Sequence, residues 1–251
     1  DDIDQPGTTP TCPLAAQFYI LDGELADAPD IEFWSHLAGH LGHNVRVGGP
    51  SDASQFISEL ADLVASRDES RFEPPVFLII DNLGRFRDLR KDDDDYGFSA
   101  DRKKTQSPAK QFVEIIKNGP SVGVHTVVWC DTYNNAGRWM SNQTLRELEM
   151  RVAFQMSASD SSNFLDSPAA GRLGPNRALL YLEETGSNEK FRPYGLPSDA
   201  WLERVQTNLG PVEAEATTEP EEAESAVFEE APRESDDELE VVDDLSSWTI
   251  L

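Results

Sequence analysis

The sequence predicts an α/β protein with a mostly parallel sheet flanked by helices. One observation is the run 76–80, five large apolar residues without alternation, which is typical of a parallel strand covered on both faces. A second is that such runs alternate along the chain with stretches whose apolar residues recur at helical spacing, as in 51–67. Strands that alternate with helices favour β-α-β units and therefore a parallel sheet.

The same patterns place the individual elements. Strands are predicted at 17–21, 45–47, 76–80, 124–130, 152–156 and 178–182. Helices are predicted at 31–41, 51–67, 107–118, near 145–148, at 159–165 and around 201. We expect Ser51 to cap the second helix, and Ser107 with Pro108 to begin the third. Strands 76–80 and 124–130 are expected to be adjacent, parallel and central.

Charge divides the chain into a domain and a tail. Residues 211–251 carry fifteen acidic residues and one basic residue, a net charge of −14 out of −26 for the chain. Few large apolar side chains accompany these charges, so burial cannot offset the entropy lost on ordering. We therefore expect a short disordered leader at 1–13, one domain at 14–209 and a disordered acidic tail at 210–251. Isolated apolar groups in the tail, above all Trp248 to Leu251, are candidates for docking on a protein partner.

Composition also excludes some classes of protein. No apolar run approaches the length of a membrane span, and the N-terminus is acidic and polar, unlike a secretory signal. The two cysteines, Cys12 and Cys130, give no metal or disulfide spacing, which favours a cytoplasmic location. An acidic balance disfavours a broad nucleic-acid surface. Any DNA contact would have to use the clusters Arg85-Arg87-Arg90-Lys91 or Arg102-Lys103-Lys104.

Asp81 follows the apolar strand 76–80 directly. An apolar strand that ends in an acidic residue is how a Walker B motif is built, because ligands of open α/β sheets bind at the carboxyl ends of the strands. There the carboxylate holds Mg²⁺, and the next residue orients or deprotonates the attacking water. Asn82 can position a water but cannot accept its proton. The alternative is that Asp81 only caps the following turn.

Several ordered motifs in the second half of the chain extend this pattern. They are Lys117-Asn118-Gly119 with Gly123-Val124-His125, Arg151-Val152-Ala153-Phe154, Ser159-Asp160-Ser161, the run 164–170 (FLDSPAA), and Leu173-Gly174 with Leu179-Leu180-Tyr181. In this order they resemble the C-terminal half of the FtsK/SpoIIIE ATPase domain. The resemblance covers about residues 17–205 and implies a P-loop NTPase fold with a RecA-like motor core.

The resemblance also implies a function. Members of this family form homo-oligomeric rings that sandwich ATP between subunits and translocate DNA or, in a secretion branch, export protein. By this likeness Asp81 would hold Mg²⁺, while Asn82 and Asp131 would lie near the γ-phosphate of ATP. Arg151 matches a residue that reaches the nucleotide of a neighbouring subunit; the alternative is a surface ion pair with Glu147 or Glu149. Arg172 and Arg177 are weaker candidates for the same role.

Three departures from the family pattern limit the expected activity. No Gly-x-x-x-x-Gly-Lys-Ser/Thr loop occurs in the chain, so a phosphate-binding loop would have to precede Asp1. Asn82 replaces the usual glutamate, and Cys130-Asp131 replace the usual threonine and glutamine. We therefore expect weak Mg-ATP binding and no turnover by the chain itself. The alternatives are a catalytically inactive pseudo-ATPase that recruits partners through its tail, or a small-molecule-binding domain unrelated to nucleotides.

Two further groups of residues are candidate cation sites. His36, His40 and His43 recur at helical spacing, but no further ligand accompanies them, which favours surface histidines. Lys91 is followed by four aspartates at 92–95, which we expect to form a solvated loop.

Overall fold

A computed structural model describes residues 16–24, 32–71, 73–91 and 106–209. The predictions for the leader 1–13, the tail 210–251, the aspartates 92–95 and the cluster Arg102-Lys103-Lys104 lie outside the described residues. Among the helices that are described, none has the length and apolar character needed to cross a bilayer.

The described residues form seven strands and seven α-helices. The strands are β1 (Gln17–Asp22), β2 (Asn44–Gly48), β3 (Val76–Asp81), β4 (Val124–Val128), β5 (Met150–Ala153), β6 (Ala178–Leu182) and β7 (Ser187–Phe191). The helices are α1 (Phe33–Ala38), α2 (Ala53–Ser66), α3 (Pro108–Asn118), α4 (Tyr133–Trp139), α5 (Asn142–Arg146), α6 (Ala158–Leu165) and α7 (Asp199–Leu209). Short 3₁₀ turns follow β3, at Leu83–Arg85 and Arg87–Leu89.

The first sheet is parallel and flanked by helices, as the sequence predicts. Its order is β2-β1-β3-β4, and every neighbouring pair runs in the same direction. The expectation that β3 and β4 are adjacent and parallel is confirmed. The expectation that both are central is wrong for β4, which is the outer strand among the described residues. Its apolar side chains are buried because Val124 and Val128 face the helical layer, not because a strand lies on each side.

The core lies between this sheet and helices α2 and α3. Leu78 and Ile80 of β3, Ile57 and Leu60 of α2 and Phe112 of α3 are all fully buried. Each such side chain contributes about 1.5–3 kcal/mol of transfer free energy, so this interface dominates the stability of the sheet. On the opposite face the rings of Phe18, Phe77 and His125 form a row across three strands.

The structure confirms one predicted helix cap, Ser107, and contradicts the other, Ser51. Ser107 caps α3 as expected: its side chain accepts a hydrogen bond from the Lys110 N–H, and Pro108 is the first helical residue. Ser51 does not cap α2, which begins at Ala53 after Asp52. The Asp52 carboxylate instead accepts from the Gly49 N–H at 2.8 Å and closes the loop that follows β2.

The second sheet departs from the expected single sheet. Strands β5, β6 and β7 pair antiparallel in that order. A tight turn joins β6 to β7, with Gly186 in the left-handed region at φ 60°, and a turn this short can only join antiparallel strands. The sequence did not predict β7 because Ser187–Phe191 is polar and largely exposed, without an apolar face to give the alternating pattern.

Candidate functional site

Two carboxylates stand side by side at the carboxyl edge of the parallel sheet. Asp22 ends β1 and Asp81 ends β3, and the two residues are partners in the strand register. At Gly23 the backbone that follows β1 lies close to the end of β3, since the Gly23 N–H donates to the Asp81 carbonyl at 3.0 Å. A Cβ at position 23 would lie 2.5 Å from that carbonyl oxygen, so only glycine fits. The predicted location of Asp81 is therefore confirmed, with Asp22 beside it.

Asp81 is half-buried and already bound by a tryptophan. The indole Nε1 of Trp34 on α1 donates to Oδ2 of Asp81 at 2.6 Å. Burial raises the pKa of Asp81; the Trp34 hydrogen bond opposes this shift and the charge of Asp22 adds to it. The carboxylate is thus held in a site that resists its ionisation, which a divalent cation would relieve by supplying positive charge.

Asn82 occupies a strained turn directly after Asp81. Its backbone is left-handed, with φ 59° and ψ 66°, a conformation that asparagine tolerates better than most residues. The Asn82 carbonyl accepts from the Arg85 N–H at 2.9 Å, and the Leu83 N–H donates to the Trp129 carbonyl at 2.9 Å. The turn alone is sufficient to explain an asparagine here. The role of Asn82 in positioning a water stays a prediction.

Asp131 lies at the same edge of the sheet but in a different cavity. Its two oxygens accept from the Asn135 amide Nδ2 at 2.8 and 3.0 Å, and the side chain is exposed. The Asp81 cavity is about 390 Å³ and is lined by Phe33, Trp34, Trp129 and Leu196 among others. The Asp131 cavity is about 450 Å³, and Trp129 lines it too. The shared edge was predicted; the tryptophan that lines both cavities was not.

Arg151 is buried in the antiparallel sheet, with only 4% of its surface exposed. Its guanidinium donates to the carbonyls of Leu148 at 3.0 Å and Phe164 at 2.9 Å, and it forms an ion pair with Glu183. The alternative of a surface pair with Glu147 or Glu149 is wrong, because the guanidinium pairs with Glu183 and lies over the ring of Tyr181. A role at a neighbouring subunit's nucleotide stays a prediction, and it would require these bonds to be exchanged.

The residues at the Asp81 edge suit Mg²⁺ better than they suit phosphate. Carboxylate oxygens are the ligands that Mg²⁺ prefers, and it often uses only one or two of them. In the described part of the chain, no three metal-ligating side chains lie close enough together to hold one metal ion. This applies to the region around His36 and His40 as well. Backbone N–H groups of the nearby loops are already bonded within the chain: Gly23 to Asp81, Gly49 to Asp52 and Leu83 to Trp129. In the described part of these loops, the N–H groups of Gly23, Gly49 and Leu83 are therefore not available to a phosphate.

The sequence missed three residues that shape this site: Asp22, Trp34 and Trp129. Asp22 directly follows the predicted strand 17–21, and Trp34 lies within the predicted helix 31–41. Helix α1 has no fully buried residue and presents Trp34 to Asp81. The one available signal concerns Asp22, which follows the apolar run 17–21 as Asp81 follows the run 76–80.

Comparisons with known proteins give no family assignment. No protein-family profile matches the chain, and no curated protein matches it. Solved structures of the genome-packaging NTPase B204 from Sulfolobus turreted icosahedral virus 2 are similar to it. The complex with ATP-γ-S has 14% identity and a TM-score of 0.43 and covers 72% of this chain and 82% of that one. The complex with AMP has 15% identity and a TM-score of 0.45, with 71% and 83% covered.

Proposed function

We propose that this chain is part of an ATP-dependent motor domain of the FtsK/SpoIIIE class, in which Asp81 holds the Mg²⁺ of the nucleotide. The observation that carries the proposal is the position of Asp81. It ends a strand that lies between two parallel neighbours, at the edge where open α/β sheets bind their ligands. Trp34 bonds to Oδ2, which leaves Oδ1 for the cation or one of its waters.

The chemistry at this edge would be charge neutralisation and the positioning of water. When bound, Mg²⁺ supplies positive charge to the phosphate oxygens during phosphoryl transfer. Asn82 would orient the attacking water through its amide, without accepting the proton. Asp131 is left out of this metal site because it lines the other cavity.

The phosphate cradle would come from sequence that precedes Asp1. Strand β4 supports this, because its sequence, VHTVV, has neither a charge nor a proline, the two common protections of an edge strand. Among the described residues β4 pairs only with β3. We propose that the strand leading into the phosphate loop pairs with the outer edge of β4 and brings the loop beside Asp81.

Assembly and DNA contact follow from the same resemblance. A homo-oligomeric ring would place the Asp81 edge at a subunit interface. Arg85, Arg87 and Lys91 are exposed in the turns that follow β3, and they are the described residues best placed to contact DNA phosphates. The Arg85 side chain passes close to Gly23, so this basic surface begins at the Asp81 edge.

The test is ATP turnover with and without the upstream sequence. We expect the present chain to bind Mg-ATP weakly and to show no turnover, and a chain extended through an upstream phosphate loop to hydrolyse ATP with stimulation by DNA. Asp81→Asn should reduce turnover by at least about a hundredfold, since the metal carboxylate acts in the transition state. Asp131→Asn is the matched control at the same sheet edge. An extended chain without turnover would contradict the motor function.

A second candidate is a pseudo-ATPase that keeps the fold and recruits a partner. Two observations favour it: Trp34 already bonds to Asp81, and Asn82 cannot act as a base. In that case deletion of 211–251 should abolish a protein contact and leave DNA binding negligible, and Trp248→Ala should reproduce most of the loss. For a DNA motor the same deletion should strengthen DNA binding, most at low salt. Partner capture and DNA affinity of the two chains separate the candidates.

A further inference from the structure

A cavity of about 450 Å³ lies where the end of β4 meets the loop between β5 and α6. We call it the Trp129 cavity, after a residue on its wall. Two aromatic side chains of the wall are largely exposed, Trp129 at 42% and Phe154 at 50%. Their neighbours in the chain, Val128 and Ala153, are buried. Leaving two large rings in water at one cavity forgoes transfer free energy, and this is typical of a binding surface.

The charged residues of the cavity are both acidic. Asp131 and Asp160 line it, and no lysine, arginine or histidine among the described residues does. Neither aspartate has an ion-pair partner among the described residues. Such a lining repels phosphate and carboxylate groups, while aromatic faces and carboxylates together attract a cation.

The local structure holds the carboxylate of Asp131 and the backbone that carries Asp160. The Asn135 amide donates to both oxygens of Asp131, and Asn135 is itself fixed by its N–H bond to the Thr132 hydroxyl at 3.1 Å. Asp160 lies in the first turn of α6, where its N–H donates to the Ser157 hydroxyl at 3.0 Å. The acceptor oxygens of Asp131 are therefore positioned before any ligand arrives, which lowers the entropy cost of binding.

We propose that the Trp129 cavity binds the guanidinium group of an arginine carried by a basic segment of another protein. A guanidinium stacks on an aromatic face and donates a planar fork of hydrogen bonds, so it uses the rings and the carboxylates at once. An ammonium group is more strongly hydrated and cannot stack, so lysine fits less well. The net charge of −26 on the chain would attract a basic partner over a distance. This inference goes beyond the proposed ATPase function.

The experiment uses the full chain and three synthetic pentapeptides. Each is acetyl-Gly-Ser-Xaa-Ser-Gly-amide, with arginine, lysine or citrulline at the centre; citrulline matches the shape of arginine without its charge. Binding is followed by NMR at the indole N–H signals of the five tryptophans. The Trp129 signal is assigned by its loss in Trp129→Leu, with Trp201→Leu as the control at another exposed tryptophan.

We expect the arginine peptide to shift the Trp129 signal in a saturable way. The citrulline peptide should bind at least about tenfold more weakly, because it lacks the charge that the aspartates and the rings attract. Trp129→Leu and the isosteric pair Asp131→Asn with Asp160→Asn should each weaken arginine binding about tenfold, while Trp201→Leu should not change it. Since the two asparagine substitutions keep size and shape, they test the site even if Trp129→Leu does not fold.

Four results would overturn the proposal. Citrulline that binds as well as arginine would remove the role of charge, and lysine that binds as well would remove the guanidinium assignment. Arginine binding that leaves Trp129 unmoved would place the contact elsewhere on this acidic chain. A Trp129 signal that responds to ATP at lower concentration than to the arginine peptide would make the cavity a nucleotide site.

Discussion

The two sheets of this protein differ in how fully the fold supplies partners to a buried charge. In the antiparallel sheet Arg151 is enclosed, and its donors are directed at carbonyls and a carboxylate of its own chain. In the parallel sheet Asp81 is half-buried beside a second carboxylate, with one hydrogen bond from an indole and a raised pKa. When all partners of a buried charge belong to the fold, removing that charge leaves the partners unsatisfied and destabilises the fold. A charge held at a sheet edge with too few partners is available for a ligand.

Among the substitutions that test this comparison, Arg151→Met has the largest expected effect on the free energy of unfolding. Removing the guanidinium leaves two buried carbonyls and Glu183 without their partner, so we expect the free energy of unfolding to fall by about 3 kcal/mol. Urea denaturation measures the change. Arg172→Met, at an exposed arginine, should change it by less than about 0.5 kcal/mol. If the two substitutions changed the free energy of unfolding equally, the contacts of Arg151 would not stabilise the fold.

Gly23→Ala tests how tightly the Asp81 edge is built. The new Cβ would lie 2.5 Å from the Asp81 carbonyl and 3.0 Å from that of Asn82. The backbone would have to shift, at a cost of about 1–3 kcal/mol in the free energy of unfolding. Gly49→Ala meets nothing within 4 Å and should be neutral or slightly stabilising. A neutral Gly23→Ala would show that this edge is loose and that the position of Asp81 is not fixed.

His125 gives a pH-dependent test within the parallel sheet. Burial lowers the pKa of His125, and its ring lies against Phe77 with the centroids 5.4 Å apart. The folded state therefore binds a proton less readily than the unfolded state. Stability from this residue is complete above about pH 6.5 and is lost as the pH falls below that value.

His125→Phe should remove that loss. The stability of the variant relative to the unmodified protein is expected to rise as the pH falls from 7 to 5, and chemical denaturation at several pH values measures it. His40→Gln, at a partly exposed histidine, is the control. A pH profile unchanged by His125→Phe would place the acid sensitivity elsewhere.

The smallest expected effect is that of Trp34→Phe. The substitution keeps an aromatic ring on α1 and removes the N–H that bonds to Asp81. Because that bond opposes the effect of burial, its loss should raise the pKa of Asp81 further. Carbon-detected NMR of the Asp81 carboxyl group would follow the titration. A lowered pKa would mean that Trp34 acts mainly by keeping water away from the carboxyl group.

The sequence predicted the parallel sheet well because its strands are short apolar runs. It located Asp81 for the same reason. The antiparallel sheet was harder to predict, since β7 has no apolar face. Strands β5 and β6 pair across a long connection that contains α6, so no local pattern gives their relative direction. Trp34 and Asp22 were missed because their roles depend on which side chains meet at the sheet edge, and no spacing along the chain encodes that.

A metal-rescue experiment at Asp81 tests the central claim most directly. In a chain extended through an upstream phosphate loop, Asp81→Cys should abolish turnover with Mg²⁺ and recover part of it with Mn²⁺ or Cd²⁺, because thiolate prefers softer cations. Asp131→Cys should show no such dependence on the metal. Turnover that survives Asp81→Cys in Mg²⁺, or rescue at Asp131 instead, would contradict the assignment of Asp81 as the metal carboxylate.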